Sequence, residues 1–211
     1  RPRRRTPPMG WNPWNCFQGA VDLPRIARVA AALADSGLRD AGYRWLNLDD
    51  HVYAYRCRGV QRTRALLRDA DGGFDLDPQR FPGGIAHLMA LCRRHGLETG
   101  LYFRPHELWG RAEDDARRLW RDGVSFLKID MHPDWMYEPL CADLHDGAPE
   151  LILSIHESYA RADSFAFCQL WRTCEDIQPN WASVLACRPV HSTTFGPSVA
   201  AMTRSSTGLR C

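Results

Sequence analysis

The 211 residues predict an α/β chain of the (β/α)8-barrel type, shortened to about six βα units. Short apolar strands alternate with amphipathic helices, the pattern of a parallel sheet covered by helices. No G-x-G-x-x-G follows any strand, which removes the usual sign of a dinucleotide-binding open sheet. Polar or acidic residues follow nearly every strand, as at the mouth of a barrel, whereas an open doubly wound sheet gathers them at one switch point.

Strands are expected at 8–15, 44–49, 98–103, 124–130, 150–155 and 168–173. Helices lie between them. Residues 22–36 carry Ile26, Val29, Ala30 and Leu33 on one face, with Asp22 as N-cap and Gly37 just past the end. Residues 84–95 would bury Ile85, Leu88, Leu91 and Cys92, and Gly96 follows. Residues 111–122 place Ala112, Ala116, Leu119 and Trp120 on an apolar face, and Gly123 stops them. The groups beyond the strand ends are Asn12 and Asn15, Asp49 and Asp50, Arg104 and His106, Asp130 and His132, His156 and Glu157, and Glu175 and Asp176. A complete barrel takes ~250 residues and eight strands. Residues 6–186 are therefore expected to form an incomplete barrel with open sheet edges. After Ala186 neither period appears and the chain turns Ser/Thr-rich, so 187–211 is expected to be an irregular tail, non-native or truncated.

Composition excludes several classes. The chain is 45% apolar and 25% charged, with a formal charge of +2, which does not describe a nucleic-acid scaffold. No apolar run approaches the ~20 residues of a membrane-spanning helix. The basic stretch Arg1 to Arg5 reads as a short solvated tail or the end of a lost leader, because no apolar signal-peptide core follows it. The eight cysteines form no C-x-x-C pair, so neither a zinc ribbon nor a thioredoxin-type motif is present. Cys92 and Cys168 sit in apolar stretches and read as core. Disulfide state, compartment and oligomeric state stay open.

The chemistry starts from one residue. Of 27 lysines and arginines, Lys128 is the single lysine. Lysine is a compact point charge and arginine a wide planar fork, so this position has a use for the former. On a strand, residues two apart share a side, and Lys128 and Asp130 would project together. The bland reading is a strand-end ion pair; the sharper one is an active-site carboxylate kept ionised by an ammonium group. Asp130 ends the fourth strand and Asp176 follows the sixth. Two carboxylates flanking one bond suit glycoside hydrolysis, one attacking or activating water and the other protonating the leaving oxygen. Taken alone, Asp176 reads better as a helix cap. Trp11 and Trp14 beside Asn12 and Asn15 offer flat apolar faces rimmed by amides, which suit a sugar, although a Trp-rich first strand is also ordinary core.

Five blocks, in order, resemble glycoside hydrolase family 27, the α-galactosidase or melibiase family. They are Thr6 to Asn15; Tyr43 to Asp50; Phe81 to Ile85 with Gly96 to Tyr102; Gly123 to Asp130; and Trp171 to Ile177. The resemblance implies a barrel and a retaining double displacement on a carbohydrate substrate, without metal or other cofactor. It implies Asp130 as nucleophile and Asp176 as acid/base. Asp49, Asp50 and Lys128 would grip sugar hydroxyls, Trp11 would contact the ring and Arg172 would lie near the 2-position. The family's D-D-C-W is here Asp49-Asp50-His51-Val52, and its D-x-C at the nucleophile is Asp130-Met131-His132. That cysteine normally bonds one in the loop after the third strand, which is also missing. The family's C-E-W is His156-Glu157-Ser158, in the region that reads the 2-substituent, leaving the sugar open.

Two further readings stand beside this one. His51, His106, His132 and His156, with Asp50 and Asp130, follow successive strands as the metal ligands of a barrel hydrolase would. A shortened relative could also bind sugar without catalysis.

Overall fold

The computed structural model describes residues 7–58, 63–131, 134–156, 166–172 and 180–182. Six strands form one parallel sheet: β1 (Met9–Trp11), β2 (Tyr43–Asn47), β5 (Glu98–Phe103), β6 (Val124–Ile129), β7 (Ile152–His156) and β8 (Leu170–Arg172). Their spatial order is their chain order, each pairing in parallel with the next. A doubly wound sheet reverses its order at a switch point. This one does not reverse, and it is part of a (β/α)8 barrel. Two shorter strands, β3 (Tyr55–Arg58) and β4 (Thr63–Leu66), form an antiparallel hairpin after β2.

Six α-helices are described: α1 (Trp14–Phe17), α2 (Leu23–Asp35), α3 (Gly84–Arg94), α4 (Pro105–Leu108), α5 (Ala112–Asp122) and α6 (Tyr137–Gly147). Helix α2 begins because Asp22 Oδ1 accepts from the backbone N–H of Arg25 at 2.9 Å, and Pro24 lies in its first turn. Its buried stripe is Leu23, Ile26, Ala30 and Leu33. Helix α5 ends at Gly123, which takes φ 102° and donates to Leu119 and Trp120 carbonyls before the chain enters β6. Trp120 departs from its expected place on the apolar face: it is 40% exposed, one position past the buried stripe of Ala112, Ala116 and Leu119.

Expected strand boundaries also move: the strand expected at 44–49 runs Tyr43–Asn47, and the one at 124–130 ends at Ile129. The strand expected at 8–15 stops at Trp11, because Pro13 turns the chain into α1. The strand expected at 150–155 runs Ile152–His156, which brings His156 into the sheet. The one expected at 168–173 begins at Leu170 and is described through Arg172. The tail 187–211 lies outside the described residues.

The two faces of the sheet differ. Leu46, Leu48, Leu101, Phe103, Leu127, Ile129, Leu153 and Ile155 are buried with Ile26, Leu88, Cys92, Leu119 and Leu140 of the helices. Fully burying each large side chain contributes about 1.5–3 kcal/mol. The alternate residues face the other way. There Trp45, Phe126 and Ile152, with Leu170 against them, form a separate small cluster that plugs the barrel interior. The Trp45 indole N–H donates to Ser125 Oγ at 3.2 Å, where the β5–β6 register shifts. Gly10 lets β1 approach β2: a Cβ there would lie 2.1 Å from the Trp45 carbonyl oxygen.

Candidate active site

Above the Trp45–Phe126–Ile152 plug, the inward residues turn charged toward the strand ends. Lys128, one pleat above Phe126, points its ammonium between two carboxylates. Its Nζ lies 3.0 Å from Asp49 Oδ2 and 3.2 Å from Asp130 Oδ2. Asn12, just past β1, donates to Asp49 Oδ2 at 2.7 Å. His156, at the end of β7, places Nδ1 2.5 Å from Asp130 Oδ1. Four of the five strand ends from β1 to β7 thus contribute to one hydrogen-bonded row: Asn12, Asp49, Lys128 with Asp130, and His156; β5, between β2 and β6, supplies Tyr102, whose ring centroid lies 5.2 Å from the Lys128 ammonium.

A second group adjoins the first. Asp50 Oδ2 pairs with Arg104 Nη2 at 2.9 Å, and Asp49 Oδ1 accepts from the Asp50 N–H at 2.8 Å. Arg104 is held in place by α4, because its own N–H donates to Glu107 Oε2 at 2.8 Å. His51 stacks on Trp14 with ring centroids 6.2 Å apart, beside a cleft of about 620 Å³ that Tyr53, Tyr55 and Arg80 also line.

The backbone past both acidic strand ends is unusual. His51 follows Asp50 at φ 65°, and Met131 follows Asp130 at φ 79°. Non-glycine residues seldom adopt this left-handed region, and they gather at functional sites. In each case the aspartate accepts from the next N–H: Asp50 Oδ1 from His51 at 2.7 Å and Asp130 Oδ1 from Met131 at 2.9 Å. The turn and the carboxylate hold each other in place.

These groups are buried: Asp49 is 4%, Asp50 6% and Asp130 8% exposed. Burial favours the neutral form of Asp130, but the His156 hydrogen bond and the Lys128 charge outweigh it and hold the carboxyl well below the usual carboxylate range. The phenol of Tyr102 is pushed up, first by burial and then by the negative charge of Asp130. Buried ion pairs add little net stability and cost much when one partner is removed, so this row orients charge rather than securing the fold.

Lys128 and Asp130 do project to one side, and Lys128 additionally bridges to Asp49, which strand spacing did not indicate. Trp11 is half-buried, with its ring 5.9 Å from Phe17; the tryptophan stacked on His51 is Trp14. The backbone of Arg172 pairs with His156 across β7 and β8. Asp176, Glu157 and His132 lie outside the described residues. The metal reading loses its convergence where it is described. His156 turns to Asp130, His51 Nε2 is 3.7 Å from Asp50 Oδ2, and His106 is exposed on α4. Among the described residues no three His, Cys, Asp or Glu side chains group as metal ligands.

Known proteins share this arrangement of chain. The family model for alpha galactosidase A, of the melibiase type, matches residues 6–130. The chain is 32% identical over 200 residues to alpha-galactosidase 3 of Arabidopsis thaliana, covering 85% of this chain and 43% of that one. It is 28% identical over 218 residues to alpha-N-acetylgalactosaminidase of Gallus gallus, covering 86% and 51%. It superposes on alpha-galactosidase I of Mortierella vinacea with a TM-score of 0.68 at 24% identity, covering 82% of this chain and 46% of that one. The chain spans about half the length of the curated relatives it matches. With more than half of its residues matched by one family model and the barrel order of its strands, the chain belongs to the alpha-galactosidase A (melibiase) family, glycoside hydrolase family 27.

Proposed function

We propose that this chain carries both catalytic carboxylates, Asp130 and Asp176, of a retaining glycosidase that removes terminal α-galactosyl or closely related residues by double displacement. The observation that carries the reading is the Asp49–Lys128–Asp130–His156 row, which keeps a buried carboxylate ionised at the mouth of the barrel. An ionised, hydrogen-bonded carboxylate is what the first displacement needs. Asp130 attacks the anomeric carbon, forming an ester bond. The bond from that carbon to the leaving oxygen breaks with its electron pair, and Asp176 gives that oxygen its proton. Asp176 then takes a proton from water, whose oxygen attacks the same carbon and releases Asp130. A retaining pair of this kind stands about 5–5.5 Å apart.

Asp49, Asp50 and Lys128 bind sugar hydroxyls, each already oriented by a partner, so little ordering remains for the substrate to impose. Trp11 contacts the ring, and Glu157 and Arg172 read the 2-position. Relatives named for galactosides and for N-acetylgalactosaminides both match, which supports a galactose-configured ring and leaves the 2-substituent to that region.

The test is hydrolysis of nitrophenyl α-galactoside and nitrophenyl α-N-acetylgalactosaminide by the full chain, with the product anomer followed by NMR. Release of the α-anomer from either, lost by about 10³-fold or more in Asp130→Asn, is expected. No turnover of either, release of the β-anomer, or undiminished turnover by Asp130→Asn would overturn the reading.

A further inference from the structure

Asp130 has two distinguishable oxygens. Oδ1 accepts from the Met131 N–H at 2.9 Å and faces His156 Nδ1 at 2.5 Å, while Oδ2 stands 3.2 Å from Lys128. A carboxylate oxygen facing a ring nitrogen at this distance requires the proton to sit on Nδ1, so His156 is the donor. Its side chain is only 12% exposed, and the extension of β7 through His156 puts it level with Asp130, since Lys128 pairs with Ser154 and Ile129 with Ile155. The family's pattern has a cysteine here, so the contact is a property of this chain's own sequence.

We propose that His156 is a positioning residue for the nucleophile. Together with the Met131 N–H it anchors Oδ1, fixes the plane of the carboxylate, and presents Oδ2 to the anomeric carbon. This rests on Asp130 being the nucleophile. In the first displacement Oδ2 forms the new bond to carbon while the leaving oxygen takes the old bond's electron pair and a proton from Asp176; Oδ1 stays hydrogen-bonded throughout. The charge of Lys128 keeps Oδ2 ionised, and Asp49 shares that charge. Without His156 the carboxylate keeps its charge through Lys128, but Oδ1 is anchored by the Met131 N–H alone and the plane can tilt. A misplacement of about 1 Å costs on the order of 10²-fold in rate.

The test compares His156→Ala, His156→Asn and Asp130→Asn in the full chain. Asparagine places an amide N–H close to where Nδ1 stands. His156→Ala is expected to lose about 10- to 100-fold in kcat with little change in KM, and His156→Asn to recover most of the loss. In ¹H–¹⁵N NMR, the proton on His156 Nδ1 should give a downfield, exchange-protected resonance in the wild type that moves upfield in Asp130→Asn, because its carboxylate acceptor is gone. This readout needs no turnover and covers the case in which His156→Ala does not fold. Equal losses in the Ala and Asn variants, an unchanged kcat in His156→Ala, or an imidazole indifferent to Asp130→Asn would overturn the proposal. If Asp130→Asn abolishes turnover while His156→Ala keeps it, only the positioning role fails. If Asp130→Asn keeps turnover, the nucleophile assignment fails as well.

Discussion

Two neighbours on one strand, Leu127 and Lys128, face opposite sides of the sheet and live by different rules. Leu127 is 0% exposed and packs with aliphatic side chains and the helices. Lys128 points inward between Asp49 and Asp130. The same split repeats one step on, with Ile129 outward and Asp130 inward. The outer face is dry and apolar and supplies burial energy. The inner face near the strand ends holds charge that water would solvate better and that stays buried only because each group has a partner. Stability and chemistry are thus placed on alternate residues of one segment, and mutations should separate them.

The largest effect on stability is expected for Leu127→Ala. It should lower unfolding free energy by about 2–5 kcal/mol in urea titration, while the molecules that remain folded keep their turnover per site. Lys128→Met, one residue away, should differ in turnover. Removing the ammonium leaves Asp49 and Asp130 as unshielded like charges, so kcat/KM of the molecules that remain folded should fall by about 10²-fold where Leu127→Ala leaves it intact, and the unpaired buried carboxylates add a stability cost of their own. A pH series sharpens the comparison. Asp130 is held below the usual carboxylate range in the folded chain, so the stability it adds is present above about pH 4 and lost as pH falls further toward its depressed value. The difference in unfolding free energy between wild type and Asp130→Asn should therefore shrink below about pH 4; a difference that widens there contradicts the assignment. The smallest change is Asp22→Ala, which removes the N-cap of α2 and should cost about 1 kcal/mol without altering turnover.

The architecture was legible because its signals are local. The helices expected at 22–36, 84–95 and 111–122 are observed at Leu23–Asp35, Gly84–Arg94 and Ala112–Asp122, each bounded by the glycine or cap that marks it in sequence. The β3–β4 hairpin was not legible: Tyr55-Arg56-Cys57-Arg58 and Thr63-Arg64-Ala65-Leu66 are short and arginine-rich, with little apolar alternation to mark a strand. Helix α6 also escaped specific assignment, since Pro139 falls early in it and Gly147 at its end, and both weaken a helical pattern. At the site, Lys128 and Asp130 could be paired from strand spacing alone. The bridge from Lys128 to Asp49 spans 79 residues, and the Asn12–Asp49 bond spans 37; such partners are fixed by sheet register, which a single sequence does not display. His156 stood among the strand-end polar residues, and its place opposite Asp130 follows only once β7 is extended to include it.

The central claim is that Asp130 is the residue that bonds to the sugar. The most direct measurement is to incubate the full chain with an activated fluorinated α-galactosyl fluoride, digest it, and locate the added glycosyl mass by peptide mass spectrometry. The mass is expected on the peptide that contains Asp130, and to be absent in Asp130→Asn. A glycosyl group on another residue, or turnover of nitrophenyl α-galactoside with no glycosylated peptide at all, would contradict it.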